Sequence, residues 1–207
     1  MSPAKMFRSA VFTNVAQVLV CLEEVGAEYE VIDVDFHAVE HKGPDHLARN
    51  SRAISRYVLR KYRTPDGGTN LLRDGDLQGS ALVDAWLDVE AQQYEPTVHA
   101  VFVQHRVVSA LGGTPDEKAI GESVEKLRKV LKVYDAWLGE RRYLVGDTVS
   151  LADLSHFPCT HYFMGMPYAA VFDAFPRVRA WWEELVARPT VQKVAAMMDS
   201  RSGCRRQ

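Results

Sequence analysis

The chain has 207 residues, 47% of them hydrophobic and 25% charged, the make-up of an ordinary globular protein with room for one domain or two modest ones. Twenty-five Lys and Arg against 27 Asp and Glu leave a net charge of −2, which excludes the basic field that draws nucleic acid or an anionic membrane surface. Cys21, Cys159 and Cys204 lack the close spacing of a zinc site or a disulfide scaffold, and the N-terminal residues carry no apolar leader. A cytoplasmic chain in a reducing compartment, with no membrane span, is expected.

Met6 to Val11 reads as a strand. Thr13 is a possible N-cap for a helix whose apolar positions Val15, Val18, Leu19, Leu22 and Val25 keep helical spacing up to a C′ glycine, Gly26. Tyr29 to Phe36 is β-rich, so strand, helix and strand have the size of a right-handed βαβ unit with parallel strands. A polar loop with Glu40, His41 and Lys42 follows, then a Gly43-Pro44 turn, a short helix from Asp45 to Asn50 and a second from Ser51 to Tyr62 with Ile54, Tyr57 and Val58 on its apolar face. The run from Arg63 to Asn70 has linker composition, and no strand pattern occurs after it.

Downstream the period is helical. Gln78 to Val108 carries Leu82, Trp86 and Val89, and Pro96 is expected to bend or break it. Thr114 and Pro115 are placed as N-cap and N1 of a long helix with the stripe Ile120, Val124, Leu127, Leu131, Tyr134 and Leu138. The best-specified local structure lies between Tyr143 and Phe157. With Ser150 as N-cap, Asp153 falls at N3 and completes a reciprocal capping box, while Val149 and Leu154 are placed as a hydrophobic staple. A helix opened by Pro176, with Val178, Trp182 and Leu185, stops near Pro189, and a last helix runs from Thr190 to Met198. Residues 199–207 read as a disordered tail.

The expected organisation is an α/β domain over 1–64, a linker over 65–72 and an all-α domain over 73–198. His156, Cys159 and His161 are metal ligands by type, but at about 100° per residue His161 points away from the other two, and no metal is expected.

The runs Thr13-Asn14-Val15-Ala16, Leu22 to Tyr29, Glu40-His41-Lys42, Ser51 to Tyr57 and Ser150-Leu151-Ala152-Asp153 resemble, in that order, the plant phi class of the glutathione S-transferase family. The resemblance covers residues 1–198. It implies a thioredoxin-like N-terminal domain that binds glutathione, a helical domain supplying most of a pocket for an apolar electrophile, and a homodimer. No cofactor is implied beyond glutathione as co-substrate. The implied reaction is attack by the glutathione thiolate on hydrophobic electrophiles in xenobiotic detoxification and stress response. A hydroxyl at the start of the first helix, helped by the helix dipole, holds the thiolate there.

By the same resemblance Ser51 binds the γ-glutamyl carboxylate, His41 and Lys42 lie near the glycyl carboxylate, and Ser150 with Asp153 caps the sixth helix of that family. The bland alternatives stay open: Thr13 and Ser51 as simple caps, His41 and Lys42 as a solvated loop. The chain departs from the family in two places. The catalytic serine position is Phe12, which leaves Thr13 as the nearest hydroxyl, Ser9 as a weaker candidate, and a slower enzyme as the expectation. Between Asn50 and Ser51, roughly 17 residues are missing, the length of two ordinary strands and their turn, so the thioredoxin-like sheet is expected to lack two strands. A non-catalytic, ligandin-like carrier of apolar small molecules is the competing expectation.

Overall fold

A computed structural model of the chain describes residues 4–7, 12–32, 51–63, 68 and 70–202. Strand β1 (Ala4–Phe7) pairs in parallel with β2 (Tyr29–Ile32), with Ala4 opposite Tyr29 and Phe7 opposite Ile32. Helix α1 (Thr13–Glu24) joins them, so the expected βαβ unit is formed; β1 begins earlier than the expected Met6. The end of α1 is a Schellman turn. Ala27 N–H donates to the Leu22 carbonyl and Gly26 N–H to that of Glu23, with Gly26 at φ 62° in the left-handed region where a side chain would be strained.

The periodicity predicts one buried stripe on α1, but every residue from Val15 to Leu22 is buried. The reason is packing on several sides, since α1 lies against α2 (Ser51–Lys61), α6 (Leu151–Met164) and α8 (Pro189–Ser202). On α2 the buried residues are Ser55, Val58 and Leu59, while Tyr57, expected on the apolar face, is 59% exposed. The expected linker is in part a core element: Leu71 and Leu72 are buried, and the Leu71 carbonyl accepts the Leu151 amide at 2.9 Å.

Helix α3 (Leu77–Val89) passes through a π turn (Glu90–Tyr94) into α4 (Glu95–Phe102), and a second π turn (Val103–Val108) follows. The expected break at Pro96 is thus absorbed, because the wider turn before it accommodates a residue with no N–H to donate. Helix α5 (Glu117–Trp137) is capped by Asp116 rather than Thr114, its carboxylate accepting the Ala119 amide at 3.0 Å. The stripe on α5 packs as expected, with Ile120, Leu127, Leu131 and Tyr134 buried and Val124 half-buried. Helix α7 (Pro176–Val186) opens at its expected proline, and α8 runs past Met198 to Ser202. Among the described residues no helix is long and apolar enough to cross a membrane.

The start of α6 is a capping box centred on Asp153. Its Oδ2 accepts the Ser150 amide at 2.8 Å and the Ser150 hydroxyl at 2.7 Å; its Oδ1 accepts the Leu144 amide and the Trp181 indole N–H, both at 2.9 Å. Burial raises the pKa of this carboxyl, and its four donors oppose that rise. Val149 and Leu154, the staple pair, are both buried.

Candidate functional site

The N-terminus of α1 is set by Phe12, whose extended backbone places its carbonyl to accept the amides of Val15 and Ala16, each at 2.9 Å. Phe12 is therefore the N-cap, and Thr13, expected there, is the first helical residue. A phenyl ring cannot take up a helix amide, so this end of α1 has no side-chain cap. Among the described residues the Thr13 hydroxyl makes no hydrogen bond, which leaves it available to a ligand.

Helix α2 begins at Ser51, whose hydroxyl lies 3.4 Å from the Asn14 side-chain oxygen. The two helix N-termini therefore meet, and their dipoles and free amides converge on one region suited to carboxylate or thiolate. His41 and Lys42 lie outside the described residues. Next to Ser51, Arg52 is bound within the chain: Nε and Nη2 donate to Glu90 Oε2 at 2.8 and 2.5 Å, and Nη2 to Glu95 Oε2 at 2.9 Å. Burial opposes the charge of Arg52, but the two carboxylates outweigh it and raise its pKa. The same burial pushes Glu90 up to about 7 against the pull of Arg52.

Two other helices start near the C-terminal end of α1 and pack against it. Arg188 and Thr190, at the start of α8, bond to Glu24, and Lys193 pairs with Glu23 at 2.7 Å. Leu71, which holds the start of α6, lines one cavity together with Glu24 and Val25. Elsewhere in the helical part, α4, α6, α7 and α8 line a groove of about 610 Å³ with Phe102, Tyr162, Met164, Trp182 and Val186 on its walls and Arg106, His161 and Asp199 as its polar groups. Nothing in the sequence pointed to this groove, because its walls come from separate helices and only their packing brings them together.

Among the described residues no three His, Cys, Asp or Glu side chains are grouped to hold a metal. His156 is fully buried, its Nδ1 at 2.7 Å from the Ala152 carbonyl and its Nε2 at 2.9 Å from the Tyr134 hydroxyl. His161 instead pairs with Asp199 at 2.9 Å. Asp153 is likewise structural, with both oxygens engaged in the cap. Cys21 is buried in α1, and burial pushes its thiol up to about 12.

Comparison with known proteins agrees with this layout. The model of the glutathione S-transferase N-terminal domain matches residues 5–57, and that of the C-terminal domain matches residues 91–189. A probable glutathione S-transferase of rice, GSTF1, is 50% identical, with 96% of this chain and 98% of the rice protein covered. That match runs over 216 positions although this chain has 207 residues, so the relative carries residues with no counterpart here. Glutathione S-transferase I of maize, solved with an atrazine–glutathione conjugate, superposes with a TM-score of 0.87 at 41% identity, covering 96% of this chain and 99% of its own. Glutathione transferase F7 of Populus trichocarpa gives 0.86 at 38%, covering 94% and 98%. The chain belongs to the glutathione S-transferase family, on its plant phi branch, and has that family's thioredoxin-like N-terminal and helical C-terminal architecture.

Proposed function

We propose that this chain is a glutathione transferase that joins the glutathione sulfur to hydrophobic electrophiles. The observation that carries this is the meeting of the α1 and α2 N-termini, where the Ser51 hydroxyl lies 3.4 Å from the Asn14 side-chain oxygen. Solved relatives at 41–42% identity are complexes with lactoylglutathione and with an atrazine–glutathione conjugate, which supports the same pairing of ligands here.

In this reading Ser51 and the first amides of α2 take the γ-glutamyl carboxylate, and His41 and Lys42 take the glycyl carboxylate. The Thr13 hydroxyl and the free amides of α1 face the sulfur. They lower the thiol pKa, so that the proton leaves to solvent and the thiolate attacks. With an aryl halide a carbon–sulfur bond forms, and the halide departs with the carbon–halogen electron pair. Phe12 supplies no donor, so the thiolate is held less firmly than with a serine at that position. Residues 1–64 form the glutathione domain and 73–198 the electrophile domain, in a cytosolic homodimer.

Passage over immobilised glutathione, followed by a conjugation assay with a chromogenic aryl halide, tests the reading. Retention with turnover above the uncatalysed rate is expected. A folded protein that neither binds the resin nor conjugates would overturn it.

A further inference from the structure

Among the described residues two buried side-chain polar atoms lack a hydrogen-bond partner, Gln17 Nε2 on α1 and Ser55 Oγ on α2. Gln17 is 4% exposed and Ser55 is fully buried. Buried donors and acceptors are costly to leave unpaired, so one on each of two packed helices calls for a partner. Both stand on the seam where α1 meets α2. At the helix starts the Ser51 hydroxyl lies 3.4 Å from the Asn14 side-chain oxygen. Further along, burial raises the pKa of the Cys21 thiol and the Ser55 hydroxyl beside it opposes that rise. At about 100° per residue Gln17 falls within about 60° of both Asn14 and Cys21 and about one turn from each, so it stands on the α2 side of α1. The seam thus leads from Thr13 and Ser51 inward to Gln17, Cys21 and Ser55.

A buried water makes about two to four hydrogen bonds. The seam supplies a donor in Gln17 Nε2, a hydroxyl in Ser55 that can donate or accept, and a weak acceptor in the Cys21 sulfur. Ser55 and Cys21 are both short side chains, so the ligand that suits the place is a single water rather than an organic molecule. We propose that Gln17 and Ser55 share one buried water between α1 and α2, and that this bridge makes both of them positioning residues. It fixes the seat of α1 on α2 and with it the spacing of Thr13 and Ser51 at the two helix starts. The positioning role rests on the transferase reading, in which those starts take the glutathione sulfur and the γ-glutamyl carboxylate; the bridge itself does not.

The test combines urea unfolding, crystallography and kinetics on the full chain. Gln17→Met keeps the length and removes the donor, and Ser55→Ala removes the hydroxyl. With a shared water, each variant unfolds at lower urea than the parent, and the double variant loses less than the two losses added, because both break one bridge. A variant that unfolds at higher urea has shed an unpaired group and overturns the bridge. A high-resolution crystal structure is expected to show the water within hydrogen-bond reach of Gln17 Nε2 and Ser55 Oγ; a seam without it overturns the bridge as well. Glutathione KM is expected to rise roughly threefold or more in both variants, with kcat at saturation nearly unchanged. Val20→Ala, a buried loss on another face of α1, is the control that lowers stability and leaves KM as it was. A like rise in KM there reduces the seam to ordinary packing. The two readings fail separately. A bridge without glutathione conjugation stands while the transferase reading falls, whereas conjugation with KM untouched by Gln17→Met and Ser55→Ala overturns the positioning role and leaves the transferase standing.

Discussion

The Asp153 carboxylate accepts the indole N–H of Trp181 at 2.9 Å through the same oxygen that takes the Leu144 amide, so one fully buried side chain ties the start of α6 to α7 and to the loop before it. An ordinary N-cap loss costs about 1 kcal/mol. Here Asp153→Ala also leaves the Ser150 amide, the Leu144 amide and the Trp181 indole without an acceptor in a buried place, at about 1–3 kcal/mol for each. Urea unfolding is expected to show a loss of about 3 kcal/mol or more, with conjugation per folded molecule unchanged. A loss of only about 1 kcal/mol would mean that the cap acts locally and does not join the helices.

His156 is neutral in the fold. Burial lowers its pKa to about 3, and the ring is clamped between the Ala152 carbonyl and the Tyr134 hydroxyl. Its folded pKa lies below the unfolded value near 6.5, so its contribution is whole above that pH and is lost as the pH falls toward 3. His156→Phe should be less stable at neutral pH, with a shallower loss of stability on acidification. Chemical denaturation at a series of pH values separates the two effects; an unchanged acid slope would place the proton uptake elsewhere.

Glu90 has the opposite sign. Its pKa is raised from 4.5 to about 7, so the folded state holds a proton that the unfolded state releases, and this group's contribution is greatest at low pH and declines as the pH rises through that window. Arg52 and Glu95 are the charges that face it. Glu90→Gln keeps an acceptor for Arg52 and cannot ionise, so its stability should fall less between pH 5 and 7 than that of the parent. If the two curves run parallel, Arg52 holds Glu90 ionised throughout.

Features that are local in the chain were legible in the sequence. The capping box at Ser150 and Asp153, the left-handed turn at Gly26 and the stripe on α5 each depend on residues within a few positions of one another. What depended on packing was not. Burial of α1 along its length follows from its neighbours α2, α6 and α8, and Asp116 outcompeted Thr114 because its carboxylate meets the Ala119 amide. The same division holds at the site. Thr13 and Ser51 were named as candidates from the family resemblance and stand at the two helix starts, but the groove beside Phe102 and Trp182 needs four helices to be assembled before it exists.

At the start of α1, Phe12 caps with its backbone alone. Phe12→Ser would supply a hydroxyl to a free helix amide, worth about 1 kcal/mol, and a donor for the thiolate in the proposed site. Turnover with an aryl halide is expected to rise by roughly tenfold or more, with the ultraviolet absorbance of bound glutathione thiolate appearing at lower pH than in the parent. Thr13→Val in the parent should lower turnover, and in Phe12→Ser should matter less. If Thr13→Val leaves the parent rate intact, the amides of α1 alone hold the sulfur.

The last prediction concerns the junction of Asn50 and Ser51. The described N-terminal sheet has two parallel strands, an assembly that is marginal without further strands or cover. Rice GSTF1 aligns over more positions than this chain possesses, and the family resemblance puts the difference at Asn50 and Ser51. Inserting a family-like hairpin there should pair the edge of β1 and cover apolar surface. Burying about 100 Å² would stabilise by about 2.5 kcal/mol, which in a chain of this size raises the melting midpoint by roughly 5 °C or more. Circular dichroism melts of the two proteins side by side give the answer. Combining the insertion with Asp153→Ala should give additive losses and gains, since the cap ties α6 to α7 while the strands pair with each other. Equal midpoints would show that the two-stranded sheet is already fully supported by the helices packed around α1.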